Sequence, residues 1–295
     1  MFCQGGIPVT GRGVGEGQGR DCGSVVRHIR AVFDRAAAGY DREPLRIFAF
    51  AADRLIGHAG IKPGHKVLDV ATGTGVVAVS AAQVVGPAGR VTAIDVSERM
   101  LDRTQEKLAR LGVTNVDVHL MDAGALEFRA GYFDAVVCSH ALELLPDMED
   151  AVQGWVRVLR PGGVLAFSSF GAGAFEPMLG MLMRRIARRM TSGAGPVFAI
   201  GPHRLAVPQR CQQLLQGAGL DDRRVVEEAL GYHLRDASEW WEVIMGSGLR
   251  ELPDQLDPAA VEAVRDEHLA ELAAIMNENG LWLDGRTLFA VARRT

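Results

Sequence analysis

Short apolar runs alternate with amphipathic segments from about residue 66 to residue 170, and this alternation constrains the fold more than any other feature. The strand candidates are KVLDVA, RVTAIDV, VDVHLM, FDAVVCSH and GVLAFSSF. Segments between them predict helices, and SERMLDRTQEKLARLG has Ser97 as its N-cap and Gly112 as its C-cap. Strands and helices that alternate at this spacing predict right-handed βαβ units, and therefore a mostly parallel sheet with helices on both faces.

The two flanks of this alternation have different patterns. Residues 1–24 are rich in glycine and lack apolar periodicity, so we expect a disordered leader before a single domain of residues 25–295. Helical periodicity begins at Val25 and returns from about Glu43 to Ala59, which predicts N-terminal helices.

The C-terminal half leaves the alternation and then returns to strands. We expect a helical cap over residues 173–207 and 236–280, a strand over residues 223–234 and a last strand over residues 286–294. The whole pattern predicts an α/β fold, a Rossmann-like doubly wound sheet of about seven strands whose last strand is antiparallel.

One helix of the predicted cap, MLGMLMRRIARRM, allows three interpretations. Its methionines can line a site for an apolar substrate. Its arginines can meet a membrane surface or an anionic substrate, or they can form an ordinary solvated face. The residues concerned are Met178, Met181, Met183, Arg184, Arg185, Arg188 and Arg189.

Composition narrows the classes of partner. Hydrophobic residues make up 48% and charged residues 23% of the chain, and the net charge of −4 gives no basic bias toward nucleic acid. No apolar run has the roughly 18 residues of a membrane span, and no signal peptide is evident, so we expect a cytoplasmic protein. The four cysteines are isolated and form no metal-ligand spacing, so we expect no metal. We expect a monomer or homodimer.

A glycine-rich turn, DVATGTG, follows the first predicted strand. Gly73, Gly75 and Ala78 fit the spacing of the dinucleotide fingerprint, and Asp95 ends the second strand about 20 residues later, where an acid would bind ribose hydroxyls. NAD and S-adenosylmethionine (SAM) both carry a ribose, so these residues alone leave both ligands open.

Three further features favour SAM. Asp69 lies four residues before the first glycine, and a carboxylate attracts the sulfonium and ammonium of SAM but repels a pyrophosphate. Asp122 follows the third strand, where a carboxylate can accept from an adenine amino group. A Pro-Gly-Gly turn, VLRPGGVL, joins a helix to the strand that closes the series.

Five segments in order resemble the motif series of class I SAM-dependent methyltransferases. They are VLDVATGTG, VTAIDVSERML, LMDAGAL, FDAVVCSHALELLPD and RVLRPGGVLAF. The lead-in FDRAAAGYD is similar to that of the branch that includes ubiquinone and menaquinone biosynthesis enzymes and their small-molecule relatives. This resemblance implies a SAM-binding core over about residues 60–172 and a methyltransferase that acts on a small molecule.

The resemblance also implies roles for individual residues. The residues implied to bind the methionine half of SAM are Asp69, Ala71, Gly73 and Gly75. Those implied to bind the ribose and adenine half are Asp95, Val96, Met100, Asp122 and Ala123. Ser139 would pass near the sulfonium, and Tyr40 would close over the cofactor.

Two residues are candidates for a general base. His140 follows the fourth strand, and a histidine has a pKa suited to taking a phenol or enol proton near neutrality. Glu143 is the second candidate. Each can instead have a structural or solvated role, because methyl transfer from an activated sulfonium needs alignment first and a base only where the acceptor carries a proton.

The expected activity is methyl transfer to oxygen or carbon of a small, largely apolar or aromatic molecule. One alternative is methylation of a quinone-ring carbon in respiratory quinone synthesis. Alternatives from other classes are a NAD-binding oxidoreductase, which Asp69 argues against, and a SAM-binding protein without catalysis, for which the chain offers no appended DNA-binding module.

Overall fold

The computed structural model describes residues 22–190 and 201–295. Its helices are α1 (Cys22–Ala36), α2 (Ile47–Ala59), α3 (Val76–Val85), α4 (Glu98–Leu111), α5 (Met148–Val158), α6 (Met178–Ala187), α7 (Pro208–Gly217), α8 (Ala237–Met245) and α9 (Pro258–Ala273). Its strands are β1 (Lys66–Val70), β2 (Arg90–Asp95), β3 (Val116–Leu120), β4 (Phe133–Ser139), β5 (Leu159–Phe170), β6 (Asp221–Ala229), β7 (Tyr232–Leu234), β8 (Leu281–Leu283) and β9 (Arg286–Arg293).

Seven strands form one sheet in the order β3-β2-β1-β4-β5-β9-β6. The first five are parallel to one another, whereas β9 is antiparallel to both β5 and β6. The predicted α/β sheet of about seven strands with an antiparallel last strand is confirmed. The strand order reverses between β1 and β4, and in such sheets a ligand crevice opens at the carboxyl ends of the strands at this point.

Helices cover both faces of the sheet, as predicted. One buried cluster joins α5 and α7 to the sheet and includes Trp155, Phe133 and Leu215. A second cluster, with Leu55, Ala81 and Phe289, joins α2 and α3 to the other face. Apolar residues that are buried on both sides explain why β1 and β4 have near-continuous apolar sequences rather than alternating ones.

The cap has its own apolar core, built from α6, α8, α9 and the two-stranded sheet of β7 and β8. The predicted strand over residues 223–234 is wrong in one respect, because β6 ends at Ala229 and β7 belongs to the second sheet. Gly231 separates the two strands, and a Cβ there would lie 2.2 Å from Trp282. Glycine at this position leaves room for the Trp282 ring and for the Leu283 backbone carbonyl, which would lie 2.9 Å from the same Cβ.

The N-terminal boundary also differs from the expectation. α1 begins at Cys22, so residues 22–24 of the predicted leader belong to a helix. Residues 1–21, and the part of the predicted cap at residues 191–200, lie outside the described residues. Within the described part of the chain, no helix has the length and apolar character to cross a membrane.

Candidate functional site

The turn after β1 holds an unusual backbone conformation next to a cavity. Ala71, Gly73 and Gly75 have φ angles of 55°, 58° and 82°, in the left-handed region that favours glycine. A Cβ at Gly73 would meet no atom within 4 Å, whereas one at Gly75 would lie 2.7 Å from Thr104. Gly73 thus leaves open space toward the cavity, and Gly75 allows the turn to pack against α4.

Asp95 connects this turn to the end of β2. Its Oδ2 accepts the backbone N–H of Gly73 at 2.9 Å, and its Oδ1 accepts the N–H of Ser97 at 2.9 Å. Burial raises the pKa of the Asp95 carboxyl, although these backbone donors oppose the shift. Asp95 lines the cavity, and its remaining lone pairs can accept from the hydroxyls of a ligand.

Asp69 lies in a different place from the other predicted residues. It is fully buried, and it does not line the cavity that the turn faces. Its Oδ2 accepts from the Thr72 hydroxyl at 2.5 Å, and its Oδ1 makes no well-aligned hydrogen bond with any described residue. Burial raises the pKa of this carboxyl to about 7. Asp69 therefore acts from behind the turn, and Gly75 also lies outside the lining of the cavity.

The other residues predicted to bind the cofactor surround this smaller cavity of about 80 Å³. Its lining includes Tyr40, Ala71, Gly73, Asp95, Val96, Met100, Asp122, Ala123, Ser139 and His140. The Asp122 carboxylate accepts the N–H of Gly124 at 2.8 Å, and the Ala123 carbonyl accepts from the Trp155 indole at 2.8 Å. The structure brings these residues together, and their individual roles stay predictions.

α1 and the segment after it cover the smaller cavity. The Asp34 carboxylate accepts from Ser97, the N-cap of α4, at 2.6 Å. Asp41 Oδ1 accepts from the Thr74 hydroxyl at 2.7 Å and from Lys107 Nζ at 2.7 Å. These contacts tie the N-terminal segment to the glycine turn and to α4.

Tyr40 lies at the centre of this cover. Its ring stacks on Phe48 with 4.7 Å between the centroids, and it lines both the smaller cavity and a larger one beside it. Burial raises the pKa of the Tyr40 phenol above its usual value, so the phenol stays neutral.

The loop after β4 separates the smaller cavity from the larger cavity of about 380 Å³. His140 and Leu144 line both cavities, and Glu143 lines the larger one. His140 has a φ of 50°, and its ring stacks on Phe170 with 4.0 Å between the centroids. This backbone conformation is uncommon for a residue with a side chain, and here it places an imidazole at the junction of the cavities.

Burial acts in opposite directions on the two candidate bases. It lowers the pKa of His140 to about 3, because the imidazole is surrounded by aromatic rings, and both ring nitrogens lack a partner among the described residues. It raises the pKa of Glu143 to about 8, a shift that the Arg204 cation partly opposes. His140 is thus a weak base, and Glu143 is a carboxyl that exchanges its proton near neutral pH.

Several residues that line the larger cavity were not predicted from the sequence. They include Phe48, Phe170, Phe175, His203 and Ala206. They come from α2, β5, the cap and the segment before α7, and they share no motif, so no local pattern could have grouped them.

The Met-rich helix α6 contributes less to this cavity than one of its interpretations expected. Met178 and Met181 are buried in the core of the cap, and Leu179 is the α6 residue that lines the cavity. Arg185 pairs with Glu267 and Glu271 of α9, so its charge is satisfied within the chain. The interpretation of Met178 and Met181 as lining is wrong, because α6 turns that face toward α9.

Known proteins are similar to this chain in sequence and in fold. Residues 67–163 match a family model described as a methyltransferase domain. Nocamycin O-methyltransferase from Saccharothrix syringae is 33% identical over 249 residues, which span 80% of this chain and 89% of that protein. The ubiquinone/menaquinone biosynthesis C-methyltransferase UbiE from Cronobacter sakazakii is 35% identical over 156 residues, which span 51% of this chain and 62% of that protein.

A solved structure adds to these sequence matches. A SAM dependent methyltransferase from Aquifex aeolicus superposes with a TM-score of 0.51 at 17% identity and covers 93% of this chain and 99% of that one, which shows the shared fold. The chain belongs to the family of SAM-dependent methyltransferases. It is an enzyme of this class with SAM as its cofactor, and the resemblance of its five motifs is confirmed.

Proposed function

We propose that the protein transfers the methyl group of SAM to an oxygen or carbon atom of a small, largely apolar or aromatic molecule held in the larger cavity. The observation that carries this proposal is the junction of the two cavities, which His140, Tyr40 and Leu144 line from both sides. A methyl donor in one cavity and an acceptor in the other would meet there, in the alignment that an in-line displacement requires.

The residues of the smaller cavity fit SAM. Gly73 leaves space for a close backbone approach, and Asp95 can accept from ribose hydroxyls. Asp69 adds a buried carboxyl behind the turn, and its ionised form favours a cationic ligand. When bound, SAM supplies a methyl group on an activated sulfonium leaving group, so the protein has to align the acceptor and remove its proton.

Glu143 is the stronger candidate for removing that proton. A carboxylate whose conjugate acid has a pKa of about 8 holds a proton far better than an imidazole with a pKa of about 3. His140 can instead accept a hydrogen bond from the acceptor hydroxyl and keep it at the junction of the cavities.

Oxygen is the first choice for the accepting atom. The relative that spans 80% of the chain is named an O-methyltransferase, whereas the C-methyltransferase UbiE matches 51% of the chain. We further propose a cytoplasmic monomer or homodimer that does not act on nucleic acid, in keeping with the net charge of −4.

Binding and turnover can be tested separately. Isothermal titration with SAM and with S-adenosylhomocysteine (SAH) should give one site, and incubation with SAM and hydroxylated naphthalenes should release SAH. A folded protein that binds neither SAM nor SAH would overturn the proposal.

A further inference from the structure

The larger cavity is lined by two residues with buried polar atoms that lack a hydrogen-bond partner among the described residues. His140 Nδ1, His140 Nε2 and Glu143 Oε2 are buried and make no hydrogen bond with any described residue. Both residues belong to the loop after β4, and both line the larger cavity. Buried polar atoms without partners are costly, so a ligand that satisfies them gains affinity and selectivity.

Near neutral pH these groups are largely uncharged. Burial lowers the pKa of His140 and raises that of Glu143, and both shifts favour the neutral forms. A neutral imidazole offers one donor and one acceptor, and a protonated carboxyl also offers both. The Tyr40 phenol, which lines the same cavity, is neutral as well. This set complements hydroxyl and carbonyl groups on a ligand.

The described lining contains no lysine or arginine. The other acidic residues of the lining are Glu251, which pairs with His28 at 2.8 Å, and the exposed Glu176. Protonated Glu143 adds no charge to the cavity, and ionised Glu143 adds a negative charge. In neither state does a described lining residue supply a fixed cation to receive an anion.

Two arginines close to the lining are occupied elsewhere. Arg204 donates to the backbone carbonyls of Glu143, Leu145 and Pro146. The Arg286 side chain packs near Gly171 of the lining, and its guanidinium pairs with Asp284. These guanidinium groups would have to leave buried or paired positions in order to bind a ligand.

We propose that the larger cavity selects a neutral hydroxylated aromatic molecule and disfavours ligands that carry a carboxylate or phosphate. Phe48, Phe170 and His140 give the cavity aromatic walls, with the Phe48 ring steeply inclined to the other two, and such walls suit an aromatic ligand. An ionised carboxylate would lose its hydration and meet no cation, which is among the largest costs of binding. The proposal rests on the proposed function, because it takes the larger cavity as the acceptor site.

A matched pair of probes tests the selectivity. The protein saturated with SAH is titrated at pH 7 with 2-naphthol and with 2-naphthoate, which share a ring and differ in charge. We expect naphthol to bind at least about tenfold more tightly. Equal affinities, tighter binding of naphthoate, or no naphthol binding at millimolar concentration would overturn the proposal.

A second experiment tests whether an added cation increases the affinity of the larger cavity for naphthoate. Ala172 lies on the exposed rim of the larger cavity, so Ala172→Lys adds a cation without changing the core, and Ala172→Gln is its neutral control. We expect Ala172→Lys to bind naphthoate about tenfold more tightly than Ala172→Gln does, with similar naphthol affinities for both. No difference between the two variants would contradict the assignment of this cavity.

The two proposals fail in different ways. Loss of SAH binding in the first titration would count against the proposed function, whereas SAH binding followed by failure of the naphthol preference would count against this inference alone.

Discussion

Asp95 accepts a 2.9 Å hydrogen bond from the backbone N–H of Gly73, so the acid that ends β2 also fixes the turn that follows β1. Gly73 follows β1 and Asp95 ends the neighbouring strand β2, and both residues line the smaller cavity. The position of the turn and the proposed recognition of ribose therefore depend on one carboxylate.

Asp95→Ala should weaken SAM and SAH binding by similar factors, because both ligands carry the same ribose. Loss of hydrogen bonds to a charged acceptor costs about 1.5–3 kcal/mol, which is about 10- to 150-fold in Kd. Isothermal titration measures both ligands. Asp117→Ala, which removes a carboxylate paired with Arg90, is the matched control and should leave both affinities unchanged. Unchanged binding in Asp95→Ala would refute the ribose assignment.

Asp69 should make the free protein less stable as the pH rises. Its pKa is about 7 in the folded chain, above the roughly 3.9 of an unfolded aspartate, so the folded state binds more protons between these values. The resulting loss in the free energy of unfolding is absent below about pH 4, grows as Asp69 ionises in the unfolded chain, and reaches its full size above about pH 7. Thr72 donates to this carboxyl, and Asp95 is the nearby charge that raises its pKa further.

The measurement compares free energies of unfolding in urea at pH 5 and pH 8 without ligand. Asp69→Asn cannot ionise, so it does not lose stability in this way. The free energy of unfolding of this variant, relative to that of the unmodified protein, should therefore rise between pH 5 and pH 8 by on the order of 1 kcal/mol or more. Asp266→Asn changes an exposed carboxylate and should show the same difference at both pH values. A pH-independent effect of Asp69→Asn would contradict the raised pKa.

The alternation of patterns was enough to predict the parallel sheet, because strands such as β1 are buried on both faces and have a continuous apolar sequence. It was not enough to predict the end of β6. Gly231, in the break, lies against Trp282, about 50 residues later in the chain, and a local pattern carries no record of such a partner.

The site was predictable where a motif fixes the backbone and less so elsewhere. Gly73 lies in the turn after β1 and Asp95 lies at the end of β2, as the motif spacing predicted. Spacing showed that Asp69 precedes the turn, but its depth behind the turn depends on the packing of the whole sheet. Phe48 and Phe170 converge from α2 and β5, so the lining of the larger cavity emerges only when the chain is folded.

Glu143→Gln should lower turnover of a hydroxylated acceptor by roughly 10²- to 10⁴-fold, because an amide of the same size cannot take a proton. SAH affinity should stay unchanged, since Glu143 lines the larger cavity and not the smaller one. In the unmodified enzyme, kcat should rise with pH toward a plateau above about 8, as the carboxyl loses its proton.

Glu176→Gln removes an exposed carboxylate from the rim of the same cavity and should keep turnover and its pH profile. Wild-type turnover in Glu143→Gln would exclude Glu143 as the base. A pH limb near 6.5 that disappears in His140→Asn would assign the proton to His140 instead.

Arg204 should act on turnover through the loop that carries Glu143. Its guanidinium donates to the backbone carbonyls of Glu143, Leu145 and Pro146, and its charge lowers the pKa of the Glu143 carboxyl. Arg204→Met should therefore lower kcat and move the pH limb to higher pH. Arg204→Lys keeps the positive charge but loses the forked guanidinium. The rise of kcat with pH should therefore return to its original pH, while kcat itself recovers only in part. Arg210→Lys, a surface change, is the control for the pH–rate profiles, and an unshifted limb in Arg204→Met would contradict the coupling.

Asp41 and Lys107 should be coupled in stability and in cofactor binding. Lys107 Nζ lies 2.7 Å from Asp41 Oδ1, and the lysine side chain is only 11% exposed, so Asp41→Ala leaves a nearly buried ammonium without its carboxylate. We expect a loss of about 1–3 kcal/mol in the free energy of unfolding. SAH affinity should fall as well, because Asp41 also holds Thr74 of the glycine turn and adjoins Tyr40.

A double-mutant cycle isolates this pair. Lys107→Met removes the charge and keeps the stem, so Asp41→Ala should cost less stability in that background than in the unmodified protein. Urea unfolding gives the four free energies, and titration with SAH shows whether affinity follows the same coupling. Additive effects within about 0.3–0.5 kcal/mol would mean that the pair does not fasten the N-terminal segment to the turn.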